Sequence, residues 1–235
     1  MNAPHQALLT ASGSVVTDPY FATVVQLAHF DGPNASTTYT NSCPRGNTIA
    51  NFGSSSLTSG DYVFGGASVR VLSQPPMANA HVDYKFGTND FTIEFRYRPD
   101  GLAVKNILDM RANGVANTPC ATFYTLSNGT LVYFVSNTDR VTSASGVIVA
   151  AIWNAIAYSR VSGTGRLFVN GTQVGSNFTD SINYNASTEL WIGSWTAAPS
   201  AVNYDELRIS NGLYGAGAGR YAANYTLAAA AFPNS

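Results

Sequence analysis

Apolar and polar residues alternate with a period of two along most of this chain. The clearest run is Phe91–Arg98. There Phe91, Ile93, Phe95 and Tyr97 share one face, and Thr92, Glu94, Arg96 and Arg98 share the other. That spacing predicts a strand with its aromatic row in a core. Similar runs predict strands at Val24–Phe30, Ala67–Leu72, Asn106–Arg111, Ala121–Leu126, Leu131–Val135, Trp153–Arg160, Arg166–Val169, Glu189–Gly193 and Val202–Ile209. Turn residues separate them, among them Gly65-Gly66, Asn113-Gly114, Asn128-Gly129, Gly163–Gly165 and Asn170-Gly171. Asn170-Gly171 lies between two alternating runs, and both residue types tolerate the positive φ of a type I′ hairpin turn. Helical spacing is almost absent. Many short strands divided by turns predict an antiparallel sandwich or jelly roll. The pattern shows no internal repeat and no second core, so the chain reads as one domain.

Composition narrows the possible functions. Charged residues are 11% of the 235, and the net charge is −1. Nucleic-acid binding needs a clustered basic surface, and here only Arg96 and Arg98 lie close together. Ser, Thr, Asn and Gly are abundant, which suits an exposed, polar and nearly uncharged surface. The start of the chain lacks a basic stretch followed by a long apolar one, so it does not read as a signal peptide. No run approaches the ~18–20 apolar residues of a membrane span. Asn-x-Ser/Thr triplets begin at Asn34, Asn128, Asn170, Asn177, Asn185 and Asn224. In a chain this rich in those residues they are expected by chance and carry no weight.

The most specific pattern lies in the C-terminal half. It comprises Trp153, Leu167-Phe168-Val169-Asn170-Gly171, Leu190-Trp191-Ile192-Gly193 and Asp205-Glu206-Leu207-Arg208-Ile209. With Val24–Gly32 as an opening strand and Phe86–Pro99 leading into a central one, it resembles the concanavalin A-like lectin/glucanase superfamily, in its laminin-G-like branch. The resemblance covers about residues 20–235. It implies an all-β, two-sheet antiparallel jelly-roll sandwich. Residues 1–19 fall outside it and are expected to form an extended arm that orders on a partner. The particular form, with Asp18-Pro19-Tyr20-Phe21 at one end and Arg220–Pro233 at the other, is similar to virion proteins of tailed bacteriophages. That implies synthesis in a host cytoplasm and a place on the virion surface. The implied partners are capsid or tail proteins, a second copy of the chain, and a cell-surface glycan. Cys43 and Cys120 have no metal-ligand spacing. They stand as free thiols or as one disulfide, and a reducing cytosol favours thiols.

Glycan-cleaving members of the superfamily carry two or three carboxylates at alternate positions of one strand, since one must give a proton and another attack or activate water. The glutamates here are Glu94, Glu189 and Glu206, and none has an acidic neighbour two positions away. Asp205-Glu206 is an adjacent pair, so strand geometry sends its side chains to opposite faces. His5, His29 and His81 flank no nucleophile pattern. The expectation is a protein that is not an enzyme. The resemblance also implies one structural calcium ion held by Asp31 and Asp205, with Asn41 where relatives often have Asp. The alternative is that Asp31 caps a turn and Asp205 bonds backbone amides. Trp153 and Trp191 occupy strand positions and are expected to be structural. Trp195, in a loop with Tyr204 after it, is the candidate for stacking on a sugar or a protein partner. Two functions follow: a non-enzymatic virion component (head decoration, fibre or tail-associated module), or a carbohydrate-binding module.

Overall fold

A computed structural model of the chain describes residues 17–45, 47–51, 53–73, 76–78, 81–112, 115, 117–186, 189–193 and 201–235. Among the described residues, strand follows strand: β1 (Val24–Ala28), β2 (Ile49–Asn51), β3 (Ser55–Thr58), β4 (Ser68–Val71), β5 (Pro76–Ala78), β6 (Phe91–Pro99), β7 (Lys105–Asp109) and β8 (Thr122–Thr125). They continue with β9 (Leu131–Val135), β10 (Thr138–Thr142), β11 (Asn154–Val161), β12 (Thr164–Val169), β13 (Thr172–Thr179), β14 (Leu190–Trp191) and β15 (Val202–Asn211). Only short single-turn helices, such as Phe21–Thr23 and Gly212–Tyr214, interrupt them.

The strands form two antiparallel sheets. The first runs β13-β12-β11-β6-β15-β4-β3, with β1 also paired to β15, and the second runs β10-β9-β8-β7-β14-β5-β2. The aromatic row of β6 packs between them, as the alternation predicts: Phe91, Ile93, Phe95 and Tyr97 are all buried in the core. Phe95 meets Phe123 of the other sheet edge-on, with ring centroids 5.6 Å apart. Tyr133 of β9 stacks on Tyr158 of β11 at 3.6 Å. The fold is therefore the two-sheet sandwich expected.

Hairpin chemistry sets the connections. Asn170 and Gly171 adopt φ of 52° and 78°, the left-handed pair that joins β12 to β13. Ser136 and Asn137 do the same between β9 and β10, at 50° and 56°. Without a glycine, that turn has a weaker sequence signal, and β10 was not expected. Strand β13 is the return arm that the Asn170-Gly171 hairpin predicts, although its residues are mostly exposed.

Trp153 is structural, as expected, but stands outside the strand it was expected to open. It precedes β11, is only half-buried, and donates its indole N–H to Asp61 Oδ1 at 2.8 Å. It braces a rim and does not build the core. Cys43 and Cys120 are buried and unbridged. Among the described residues, no helix is long and apolar enough to cross a membrane.

Candidate functional site

The two sheets have different outer faces, and each is shaped by a β-bulge. A bulge sets two residues against one on the partner strand and breaks the alternation. In β7 the register shifts between Asn106 and Leu108. Ile107, Leu108 and Met110 all enter the core. Asn106, Asp109 and Arg111 consequently gather on the outer face of the second sheet. Asn106 Nδ2 donates to Asp109 Oδ2 at 2.9 Å. Arg111 grips Asp109 twice, from Nε at 2.8 Å and from Nη2 at 2.6 Å. Thr122 Oγ1 and the Arg111 backbone N–H also donate to Asp109 Oδ1. Asp109 is fully buried and accepts five hydrogen bonds, so it fixes the arginine in place.

Around this group stand aromatic rings that keep part of their surface in water. The pairing register aligns Trp191, Asp109, Thr122, Phe134 and Asp139 in one row across the sheet. Tyr124 meets Phe134 edge-on at 6.3 Å, and its hydroxyl donates to Asp139 Oδ1 at 2.9 Å. Arg111 lies over the Phe134 ring, 5.4 Å from its centre. Trp191 donates its indole N–H to Glu189 Oε2 at 3.0 Å. Val104, Asn106, Arg111, Thr122, Tyr124 and Phe134 line an open cavity of about 260 Å³. Such a surface offers flat apolar rings to C–H faces and fixed polar groups to hydroxyls, the usual make-up of a small-molecule site. Trp191, expected to be structural, belongs to this open face.

The first sheet is different. Its polar side chains lie beneath the C-terminal segment, which folds back across them. Glu94 accepts from Arg208 Nε at 2.9 Å and from the Tyr221 hydroxyl at 2.7 Å. Asp18 accepts from Arg208 Nη1 at 3.0 Å and from Arg220 Nη1 at 3.1 Å. Asp18 N–H donates to Ser235 O at 2.7 Å, so the start and the end of the domain lie side by side. Asp18 was assigned to the arm by the sequence, yet its side chain is part of the domain. Residues 1–16 lie outside the described residues. Burial opposes ionisation of Asp18, but the Arg220 and Arg208 contacts outweigh it and hold its pKa below the usual carboxylate value.

The second bulge falls at Asp205 and Glu206, with Glu206 at a φ of 49°. Here one edge of β15 changes partner, from β4 at Val202–Tyr204 to β1 at Leu207–Ser210. Tyr204 and Leu207 both enter the core, so neither Asp205 nor Glu206 does. The expectation that they face opposite ways is corrected by the bulge. Glu206 Oε1 meets His29 Nδ1 at 2.8 Å, and Glu206 Oε2 accepts the Phe232 N–H at 2.8 Å. His29 Nε2 meets Asn234 Oδ1 at 2.7 Å. Burial opposes the imidazolium, but the bonds to Glu206 and Asn234 outweigh it and raise the His29 pKa.

Asp205 Oδ2 accepts from the backbone N–H of Val63 at 2.7 Å and of Phe64 at 3.2 Å. Its Oδ1 accepts from the Glu206 N–H at 2.9 Å. Burial pushes its pKa up to about 7, against the pull of these amides. Asp31 sits against Gly65 of the same loop. A Cβ at Gly65 would collide with its carboxylate, and the residue's φ of 65° also favours glycine. Asp31 and Asp205 are thus brought to one loop, as backbone acceptors and packing partners. Asn41 is committed elsewhere: its Oδ1 accepts from Leu27 N at 3.0 Å and Cys43 N at 3.1 Å. Calcium needs several free oxygen ligands. Among the described residues, no three His, Cys, Asp or Glu side chains converge. Asp31, Asn41 and Asp205 as placed do not fit a shared ion.

The candidate stacking residues fare differently. Tyr204 is 2% exposed and packs on Phe95 and Tyr97, so it is a core residue and reaches no ligand. Trp195 lies outside the described residues. Tyr124 and Phe134 were missed as site residues because their alternation reads equally well as core. The bulge at Asn106–Leu108 has no sequence signal of its own.

The profile of the laminin-G-like domain (Laminin_G_3) of the concanavalin A-like lectin/glucanases superfamily matches residues 72–216, more than half of the chain. The chain belongs to this superfamily. No curated protein matches it. Solved structures of similar fold include the binding domain of botulinum neurotoxin serotype D, at a TM-score of 0.59 and 11% identity, covering 82% of this chain and 48% of that one. Botulinum neurotoxin type C matches at a TM-score of 0.58 and 13% identity, over 81% of this chain and 48% of that one. The receptor-binding domain of the type G toxin matches at 0.58 and 11%, over 80% and 47%. The chain spans about half the length of these structures, and at such identities the likeness shows the fold alone. This concanavalin A-like domain is lectin-like in architecture, with one sheet face sealed and the other open among the described residues.

Proposed function

We propose that the protein is a non-catalytic carbohydrate-binding domain that uses the open face of its second sheet. The observation that carries this reading is the joint presence of Tyr124, Phe134 and Trp191 with the Asp109-braced Arg111 on one uncovered surface. Pyranose rings present apolar faces and polar rims, and this surface presents both complements. A non-enzymatic role is supported by the glutamates: Glu94 and Glu206 are tied into the sealed face, and Glu189 is bound by Trp191. The superfamily includes lectins. Entry of botulinum neurotoxin type C into cells depends on interaction with two ganglioside molecules; for the present chain this motivates the choice of glycans to try. A glycan array probed with the intact protein tests the reading. Binding to a defined set of glycans, lost in Phe134→Ala and Tyr124→Ala proteins of unchanged melting temperature, is the expected result. Equal binding by both variants would move the site elsewhere.

We further propose that the domain is displayed on a bacteriophage virion. The two segments that carry that resemblance, Asp18–Phe21 and Arg220–Pro233, are joined through the Asp18–Arg220 pair. They are one structural feature, and residues 1–16 continue from it. Mass spectrometry of purified phage particles, with the copy number taken from gel band intensity, is the test. Absence of the protein from particles of a phage that encodes it would end the virion reading.

A further inference from the structure

The C-terminal segment does not lie flush on the first sheet. Beneath it is a cavity of about 180 Å³, lined by Arg96, Ala155, Tyr225, Leu227 and Phe232 together with Glu94 and Arg208. Every charged group there is accounted for except one. Glu94 is held by Arg208 and Tyr221, and Arg208 also holds Asp18. Arg96 is 8% exposed, yet its one hydrogen bond among the described residues is a long one, 3.5 Å, from Nη2 to the Ala228 carbonyl. Asp205 stands across from it on β15, but that carboxylate is turned to the Val63 and Phe64 amides. The Phe64 ring, 6.0 Å away, is the other group that faces the guanidinium. A guanidinium carries several donors in a rigid fork that matches a carboxylate. Burying such a cation without an anion is costly.

We infer that this cavity is a binding site for a small organic monocarboxylate with an apolar body, its carboxylate on Arg96 and its body between Tyr225, Phe232, Ala155 and Leu227. Size limits the ligand. Sites for drug-sized molecules run about 300–1,000 Å³, so this one takes a single ring or a short branched chain. Charge limits it too, because Arg96 is one unpaired cation: it balances one carboxylate and leaves the second charge of a phosphate dianion uncompensated beside Glu94. The site lies on the opposite side of the sandwich from the open face, so it stands whether or not the domain binds glycans.

Benzoate, benzamide and inorganic phosphate serve as probes, titrated into the intact protein and followed by ¹H–¹⁵N spectra and calorimetry. Benzoate should bind saturably, with shifts confined to residues around Arg96, Tyr225 and Phe232. Its neutral isostere benzamide, and phosphate, should bind at least tenfold more weakly. Arg96→Gln should abolish benzoate binding. Since that variant alters a buried charge and can fail to fold, Thr226→Trp provides a second arm: Thr226 is exposed and lines the cavity. A tryptophan there should block benzoate while leaving Arg96 and the melt intact. No saturable benzoate binding by the wild type, equal binding of benzamide, or undiminished binding by folded Thr226→Trp protein would each overturn the assignment.

Discussion

The outer faces of the two sheets solve the same problem in opposite ways. Each carries polar side chains on strands whose other side is core. On the first sheet they are charges, Glu94 and Arg208, and they are paired with Asp18 and covered by the protein's own C-terminal segment, which brings Arg220 to the same network. Apart from Arg96 these covered charges are paired, and the pairs close this face into a network. On the second sheet the polar side chains stand among the half-exposed rings of Tyr124, Phe134 and Trp191, and the buried ion pair of Asp109 with Arg111 serves to hold the arginine in place. Nothing among the described residues covers the rings of this face. The lesson is that a buried salt bridge can mark a seal or a support, and the neighbours tell which. Neighbours that are themselves charged, paired and covered make a seal. Half-exposed aromatics around a saturated carboxylate make a support for binding.

The contrast can be broken most forcefully on the sealed face. Glu94→Ala leaves Arg208 short of a partner and the Tyr221 hydroxyl unsatisfied. The expected cost is on the order of 3–5 kcal/mol, or about 10 °C in melting temperature for a chain of this size. A melt within 2 °C of wild type, roughly the noise of a scan, would show that the network is not a seal.

Truncation sharpens the same point. Removing residues 2–16 leaves Asp18 in place and should leave the melt unchanged. Removing residues 2–18 takes the carboxylate from both Arg208 and Arg220 and should lower the melt by several degrees. Equal melts for the two truncations would show that Asp18 is no tie.

The pH dependence separates two of the carboxylates of the sealed face, Asp18 and Asp205. Asp18 has a lowered folded pKa, so its contribution is present above the ordinary carboxylate pKa and is lost as acid protonates it. Asp205 has a raised one, about 7, so the folded state retains a proton that the unfolded chain releases. Stability should therefore fall as pH rises from the ordinary Asp pKa towards 7, at no more than about 1.4 kcal/mol per pH unit. His29, also raised, acts in the same direction: its contribution holds below its unfolded pKa and fades as pH climbs through the folded one. Chemical denaturation across this range should flatten in Asp205→Asn. An unchanged slope in that variant would refute the burial argument.

On the open face, Tyr124→Ala should change stability by less than about 1 kcal/mol, because the ring is partly in water, while removing glycan binding. The smallest expected effect is that of calcium. The committed oxygens of Asn41 and Asp205 predict no change in melting temperature on adding EDTA. A clear drop, reversed by calcium, would show that ligands outside the described residues complete a site.

Period-two alternation determined much of this protein by itself. The row of Phe91, Ile93, Phe95 and Tyr97, the Asn170-Gly171 hairpin and the two-sheet class were legible because strand periodicity and turn chemistry are local. Three features were not. The bulges at Asn106–Leu108 and Asp205–Glu206 each insert one residue, and nothing local in the sequence announces a register shift. The burial of Glu94 depends on Arg220–Ser235 returning across the sheet, and its bonds to Arg208 and Tyr221 join segments more than a hundred residues apart. The separation of Tyr204, which is core, from Tyr124, which is surface, turns on which side of a sheet each strand presents. Alternation shows that two faces differ. Only the packing of the whole chain decides which of them meets water, because burial belongs to the assembled sheets and not to any one strand.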